Sequence, residues 1–266
     1  MALLTAPLYA GWLVTRPVAW VVPRSDKGLQ RFWVGSWAKG MLRVMGVRAR
    51  YQGPFPEAPF FLVSNHLSYV DIPVLLSRLD ARFLAKSEVA SWPVAGLLAR
   101  STGTLFVDRS KKRDLTRILP AVRGVLDRGT GVIIFPEGTT TDGSAVQAFK
   151  PSLFEVPVEM GLKVRCASLH YDSPEGSRPA WETVCWYGDA PFAPHFLQFL
   201  KQRRTDATVT FSAENVAAPA TGGSERRKDL ARAAHRAVER TFTPSRPIPP
   251  EPEPPTARTA LPHSTR

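Results

Sequence analysis

Short apolar runs bounded by polar turns alternate with longer amphipathic stretches through the middle of the chain. The first pattern predicts buried strands over Phe60–Ser64, Ala81–Ala85, Thr104–Val107, Gly131–Phe135, Val164–His170, Thr183–Tyr187 and Ala207–Phe211. The second predicts helices over Asp71–Leu79, Pro93–Arg100, Asp114–Asp127, Ser152–Met160, Pro194–Lys201 and Glu225–Thr241. Strands and helices in this succession point to an α/β fold, a mixed layered sheet flanked by helices. From Pro244 the chain turns proline-rich with too little apolar content to join a core, so residues 244–266 read as a disordered tail.

The front end follows a different pattern. Ala2 to Val14 is apolar apart from Thr5 and Pro7, and Val18 to Val22 resumes the run after Arg16 and Pro17. No positive charge precedes it, as a signal peptide would require. Arg31-Phe32-Trp33 through Met45 then mixes aromatic, methionine and basic residues, a composition suited to a helix at a lipid headgroup boundary. A pair of helices packed on the main domain is the competing reading. The expectation is a membrane-associating helical segment over 1–50, either monotopic or a single-span anchor, followed by an α/β domain over 51–243.

Charge supports that division. The 266 residues carry a formal charge of +12 at pH 7, which calls for an acidic partner. Eight of the basic residues lie within the first 50 positions against one acid, Asp26. No nucleic-acid-binding module is recognisable, so an anionic membrane surface is the expected partner. Cys166 and Cys185 lie in predicted strands with no metal-ligand spacing around them, and a metal site or disulfide framework is not expected.

Four stretches carry candidate chemistry. At the end of the first strand stand Asn65 and His66, with Asp71 five residues later at the start of a helix. A histidine at a strand-to-helix corner sits at the rim of the sheet, where α/β folds build sites. The aspartate could hold one imidazole nitrogen while the other takes a proton from a hydroxyl. A capped helix beside a satisfied histidine is the plainer reading of the pair taken alone. Gly103 to Arg109 ends a strand in an arginine, whose planar fork matches phosphate oxygens. Phe135-Pro136-Glu137-Gly138-Thr139-Thr140-Thr141 ends another strand in a turn able to hold an anion. Glu137 fits that role poorly, and reads instead as an acceptor for a substrate hydroxyl or a partner for a basic side chain. The last stretch, Gln147 to Glu155, places Lys150 before an apolar helix and is nonspecific by itself.

In this order the stretches resemble the glycerolipid acyltransferase family, the 1-acylglycerol-3-phosphate acyltransferases and their relatives, including the lyso-ornithine lipid branch. Asn65-His66 to Asp71 matches its NHxxxxD motif, Gly103 to Arg109 its arginine block, and Phe135 to Thr139 its FPEGT block. Val164 to Tyr171 falls where a fourth block lies, and Ala85-Lys86-Ser87-Glu88 with Pro93 and Gly96 is also similar to the family. The resemblance implies His66 as general base and Asp71 as its orienting partner. It implies Asn65, Lys86, Arg109, Glu137, Gly138 and Thr139 as substrate-binding residues. The implied reaction moves a fatty acyl chain from acyl-CoA or acyl-acyl-carrier protein, as co-substrate, to the hydroxyl of a lysolipid, with no cofactor. The implied place is the cytoplasmic face of the cell inner membrane. The acceptor so implied is 1-acylglycerol-3-phosphate, giving phosphatidic acid. Where many such members carry arginine after FPEGT, however, this chain has Thr140, which favours a lyso-ornithine lipid or another lysophospholipid. A lipid-binding protein without activity and a lipid or thioester hydrolase are the readings from other classes.

Overall fold

The structure is a computed structural model that describes residues 25–92, 95–108, 112–220 and 225–247. A mixed sheet of seven strands organises the described residues. In chain order these are β1 (Val47–Gln52), β2 (Phe61–Ser64), β3 (Ala81–Lys86), β4 (Leu105–Val107), β5 (Gly131–Ile134), β6 (Val164–Asp172) and β7 (Thr205–Val216). They lie side by side in the order β1-β7-β6-β2-β5-β3-β4, and the β6–β7 pair is antiparallel while the other neighbours are parallel. β2, β5 and β6 therefore sit together near the centre and end at the same edge.

Helices cover both faces. Five are α1 (Ser25–Val44), α2 (Asp71–Leu76), α3 (Ala95–Ser101), α4 (Lys112–Asp127) and α5 (Glu155–Glu159), followed by α6 (Ala180–Thr183), α7 (Phe192–Phe199) and α8 (Glu225–Glu239). Side chains alternate across a strand, so a strand covered on both sides reads as unbroken apolar sequence. In β2, Leu62 joins the core beneath α1, α2, α6 and α7, whereas Phe61 and Val63 join the core beneath α4, α5 and α8. Val132, Ile133 and Ile134 of β5 divide in the same way.

Three expectations are corrected. Thr183–Tyr187 is not a strand: Val184 N–H and Cys185 N–H donate to Ala180 O as α6 closes, and Trp186 N–H donates to Leu67 O. Burial of Val184 and Cys185 produced the strand-like pattern without a sheet partner. Both cysteines are buried and unbridged. The second correction concerns the front end. Trp37, Ala38, Met41, Leu42 and Met45 bury one side of α1 in the core, and β1 pairs with β7 across the expected boundary at 50/51. Residues 25–50 are thus part of the α/β unit, with Arg31, Phe32, Lys39, Arg43 and Val44 exposed on the outer side of α1. The apolar run over 1–24 lies outside the described residues, and among those described no helix is long and apolar enough to cross a membrane.

The third correction is at the other end. The expected tail begins with a docked strap. Ser245 N–H donates to Gly143 O at 2.9 Å, Ser245 Oγ accepts from Tyr171 N–H at 2.8 Å, and Arg246 pairs with Asp142 at 2.6 Å. Residues 248–266 lie outside the described residues.

Candidate active site

The end of β2 supplies His66, and the next turn folds onto Asp71. Asp71 Oδ2 accepts from Leu67 N–H at 2.8 Å and Ser68 N–H at 3.1 Å, and lies 2.7 Å from His66 Nδ1. The spacing of five residues thus has a local cause: one carboxylate closes the turn that follows the histidine and also holds its ring. Oδ1 of the same group accepts from Tyr171 Oη at 2.6 Å. Asp71 is fully buried, while His66 keeps 19% of its side chain exposed, enough to be reached from outside. With Nδ1 directed at a carboxylate, the proton belongs on that nitrogen and the lone pair on Nε2.

Phe135 lies flat beneath the imidazole, with ring centres 3.9 Å apart and planes 3° from parallel, and Phe83 stacks behind it. Two hydrogen bonds lock Asn65 to β6: its Nδ2 donates to Leu169 O at 3.0 Å, and its Oδ1 accepts from Leu169 N–H at 2.7 Å. Thr141 N–H donates to His66 O at 3.0 Å, so the loop after β5 clamps the histidine from the other side. The ring is fixed from below, beside and behind.

Glu137 departs from expectation. Its Oε1 accepts from His66 N–H at 2.7 Å and its Oε2 from Gln147 N–H at 3.1 Å, and the side chain is buried. With both oxygens given to backbone donors, Glu137 holds the two loops together. Asn65 is likewise consumed by β6. These two are positioning residues. Burial pushes the Glu137 carboxyl up to about 8, against the opposing pull of the two N–H donors, and the nearby Asp71 charge pushes the same way as burial. A raised acid stabilises the fold below its ordinary value of 4.5, and that contribution is lost as pH rises through about 8. The expected slope reaches ~1.4 kcal/mol per pH unit. Urea midpoints across this range should show the decline, and Glu137→Gln should remove that part of it.

Of the other candidates, Gly138 and Thr139 are exposed beside Glu137, in a position to meet a ligand. Lys86 ends β3 at the same edge and pairs with Glu88 at 2.6 Å on the surface. Arg109 lies outside the described residues. Ser64 and Ser68 are buried, and Ser68 Oγ accepts from Val70 N–H, so neither serine is presented as a nucleophile. Tyr171 and Lys150 gain weight that their sequence context did not give them. Gly138 has φ +74°, and a Cβ placed there would lie 2.6 Å from Lys150 Nζ. The glycine therefore lets an ammonium group rest against the loop. Gly138→Ala should cost ~1–2 kcal/mol from the left-handed backbone alone and displace Lys150. A urea titration checks the first effect and the acceptor KM the second.

Among the described residues, no group of histidine, cysteine and acidic side chains could hold a metal ion. A cavity of about 640 Å³ between α1 and the Leu76–Asp80 turn contains none of the site residues.

Comparison with known proteins bears on this arrangement. A family model described as Acyltransferase matches residues 46–169, which include His66, Asp71, Glu137 and Lys150. A lyso-ornithine lipid O-acyltransferase of Pseudomonas aeruginosa is 31% identical over 235 residues, covering 86% of this chain and 84% of that protein. The chain belongs to the acyltransferase family. A 1-acyl-sn-glycerol-3-phosphate acyltransferase of Neisseria gonorrhoeae is 35% identical over 144 residues, 53% of this chain. That match spans only 56% of the Neisseria protein. The crystal structure of the 1-acyl-sn-glycerophosphate acyltransferase PlsC from Thermotoga maritima shares the fold. Its TM-score is 0.61 at 20% identity, covering 87% of this chain and 88% of that one. The histidine cluster lies within the shared fold, where β2, β5 and β6 end together.

Proposed function

We propose that this acyltransferase-family chain moves a fatty acyl group from a thioester to the free hydroxyl of a lysolipid. The observation that carries the reading is the His66–Asp71 pair, with Nδ1 engaged by a buried carboxylate and the imidazole part exposed. In the proposed step, Nε2 takes the proton of the acceptor hydroxyl as its oxygen attacks the thioester carbonyl carbon. The tetrahedral intermediate collapses, the carbon–sulfur bond breaks, and the proton passes to the leaving thiolate. An ester and a free thiol result. General-base help of this kind contributes ~10²–10⁴-fold, and the stacked, clamped ring supplies orientation.

The step needs no cofactor; acyl-CoA or acyl-acyl-carrier protein is the proposed co-substrate. The proposed setting is the cytoplasmic face of the inner membrane. The direct test incubates purified protein with each thioester and a panel of lysolipids. Thioester consumption matched by a new ester supports the reading. Free fatty acid without ester would replace it with a hydrolase, and no consumption would leave a lipid-binding protein.

Two acceptors remain in the proposal. 1-Acylglycerol-3-phosphate, giving phosphatidic acid, is favoured by the Neisseria relative's name and its 35% identity. Lyso-ornithine lipid is favoured by relatives of that name from Pseudomonas aeruginosa and Rhizobium meliloti, which align over 86% and 79% of this chain. Thr140, in place of a fixed arginine after the FPEGT block, points the same way. Lipid mass spectrometry of a host lacking its own enzyme decides between them, by new phosphatidate or a new amino-acid lipid.

A further inference from the structure

A surface helix on a folded domain ordinarily turns an apolar stripe inward and polar residues outward. α7 is apolar on both sides, with Phe192, Phe196 and Phe199 turned inward. Its sequence, Phe192-Ala193-Pro194-His195-Phe196-Leu197-Gln198-Phe199, contains no charge, and both of its polar side chains, His195 and Gln198, are engaged by neighbouring residues. His195 Nε2 faces Cys185 O at 3.1 Å and His195 Nδ1 faces Tyr69 Oη at 3.1 Å, so the imidazole donates to the carbonyl and accepts from the phenol. Gln198, with its amide oxygen toward Arg178, accepts from the guanidinium at 2.6 Å. Phe199 is buried. What remains outside is Pro191, Ala193, Pro194, Leu197 and Leu200, with Leu197 61% exposed.

The inner side of the same helix rests on the His66 turn. Tyr69 belongs to the turn between His66 and Asp71, and its ring meets those of Phe192, Phe196 and Phe199. Trp186, whose N–H donates to Leu67 O in the same turn, bridges Phe192 to the exposed Trp92. The border beyond the C-terminal end of α7 is basic, since Lys201 and Arg203 follow directly and are exposed, while an exposed acid, Asp189, precedes the helix. An apolar helix with aromatic neighbours and a cationic rim fits the boundary of an anionic bilayer, where acyl chains meet the first group and phosphates the second.

We infer that the outer face of α7, with Trp92, is a membrane-contact surface that seats the His66 turn against an anionic bilayer. It is separate from the N-terminal segment, which the sequence nominated for that role. The inference extends the lysolipid reading by placing the lipid surface beside the site, but its first test does not depend on activity.

Leu197→Cys in the full chain offers an accessible thiol, because Cys166 and Cys185 are buried and burial raises both thiols, Cys166 to about 12. An environment-sensitive fluorophore attached there should shift to the blue on adding equimolar phosphatidylcholine–phosphatidylglycerol vesicles, and brominated lipid should quench it. The same label at Lys228→Cys, on exposed α8, should do neither. Emission at 197 that vesicles leave unmoved would overturn the inference. So would emission already blue without lipid and unchanged by it, which would mean that another part of this chain, or a second copy, covers the face. A second measurement uses the Leu197→Glu, Leu200→Glu double variant. Its apparent KM for a vesicle-borne acceptor should rise severalfold, whereas Lys228→Gln should leave it unchanged. If no acceptor is ever esterified, the lysolipid reading falls while the fluorescence result still decides the surface.

Discussion

His66→Ala should reduce acyl transfer by about 10²–10⁴-fold, the contribution typical of a positioned general base. The fold should survive the change. The imidazole is part exposed, its one side-chain hydrogen bond among the described residues is to Asp71, and Asp71 Oδ2 keeps the amides of Leu67 and Ser68 without it. Thioester consumption and ester formation should therefore fall together, while the circular dichroism spectrum and urea midpoint stay near those of the parent. A variant with full activity would end the general-base assignment. A variant with no folded signal would show that the stacked ring on Phe135 supports the structure as well as the chemistry.

Asp71→Ala should be damaging in both respects. Removing the carboxylate strips acceptors from His66, Leu67, Ser68 and Tyr171 together, all within buried or part-buried surroundings. Buried donors left without partners cost more than their hydrogen bonds contributed. The expected loss is on the order of 3–5 kcal/mol, the range for breaking a buried charged network from one side. A urea titration measures it. Transfer should fall at least as far as in His66→Ala, because the ring loses its tautomer as well as its orientation. Tyr171→Phe separates the two roles: it removes one donor to Asp71 and leaves the His66 bond intact. Its stability cost should be ~1–3 kcal/mol, and its activity loss much the smaller of the two.

Sequence and structure agree best where a signal is local. His66 and Asp71 belong to one turn, so their spacing already carried the geometry. The central strands were readable because both faces of β2 and β5 are covered, leaving continuous apolar runs. Glu137 was misread because its partners are backbone amides, which no side-chain pattern reports. Tyr171 looked like any aromatic residue at the end of a strand, and only the pairing of β6 with β2 brings its hydroxyl to Asp71. β1 was missed because Val47-Arg48-Ala49-Arg50-Tyr51-Gln52 is an edge strand whose outward arginines merged with the charge of the front end. α1 was assigned to lipid because its inner residues, Trp37 and Met41 among them, are chemically the same as those that favour a membrane boundary.

The hydrogen bonds around the histidine join positions made far apart in time. His66 N–H is held by a carboxylate 71 positions later, Asp71 by a hydroxyl 100 later, and Asn65 by a strand residue 104 later. At ~5–20 residues per second, a ribosome delivers those partners about 4–20 s after the histidine itself. Until then the imidazole and its aspartate belong to a loop with no floor and no clamp. On the proposed chemistry, a nascent chain that ends before β6 carries the whole NHxxxxD motif without the contacts that hold it in place. Competence arrives late and all at once, when β6 docks beside β2.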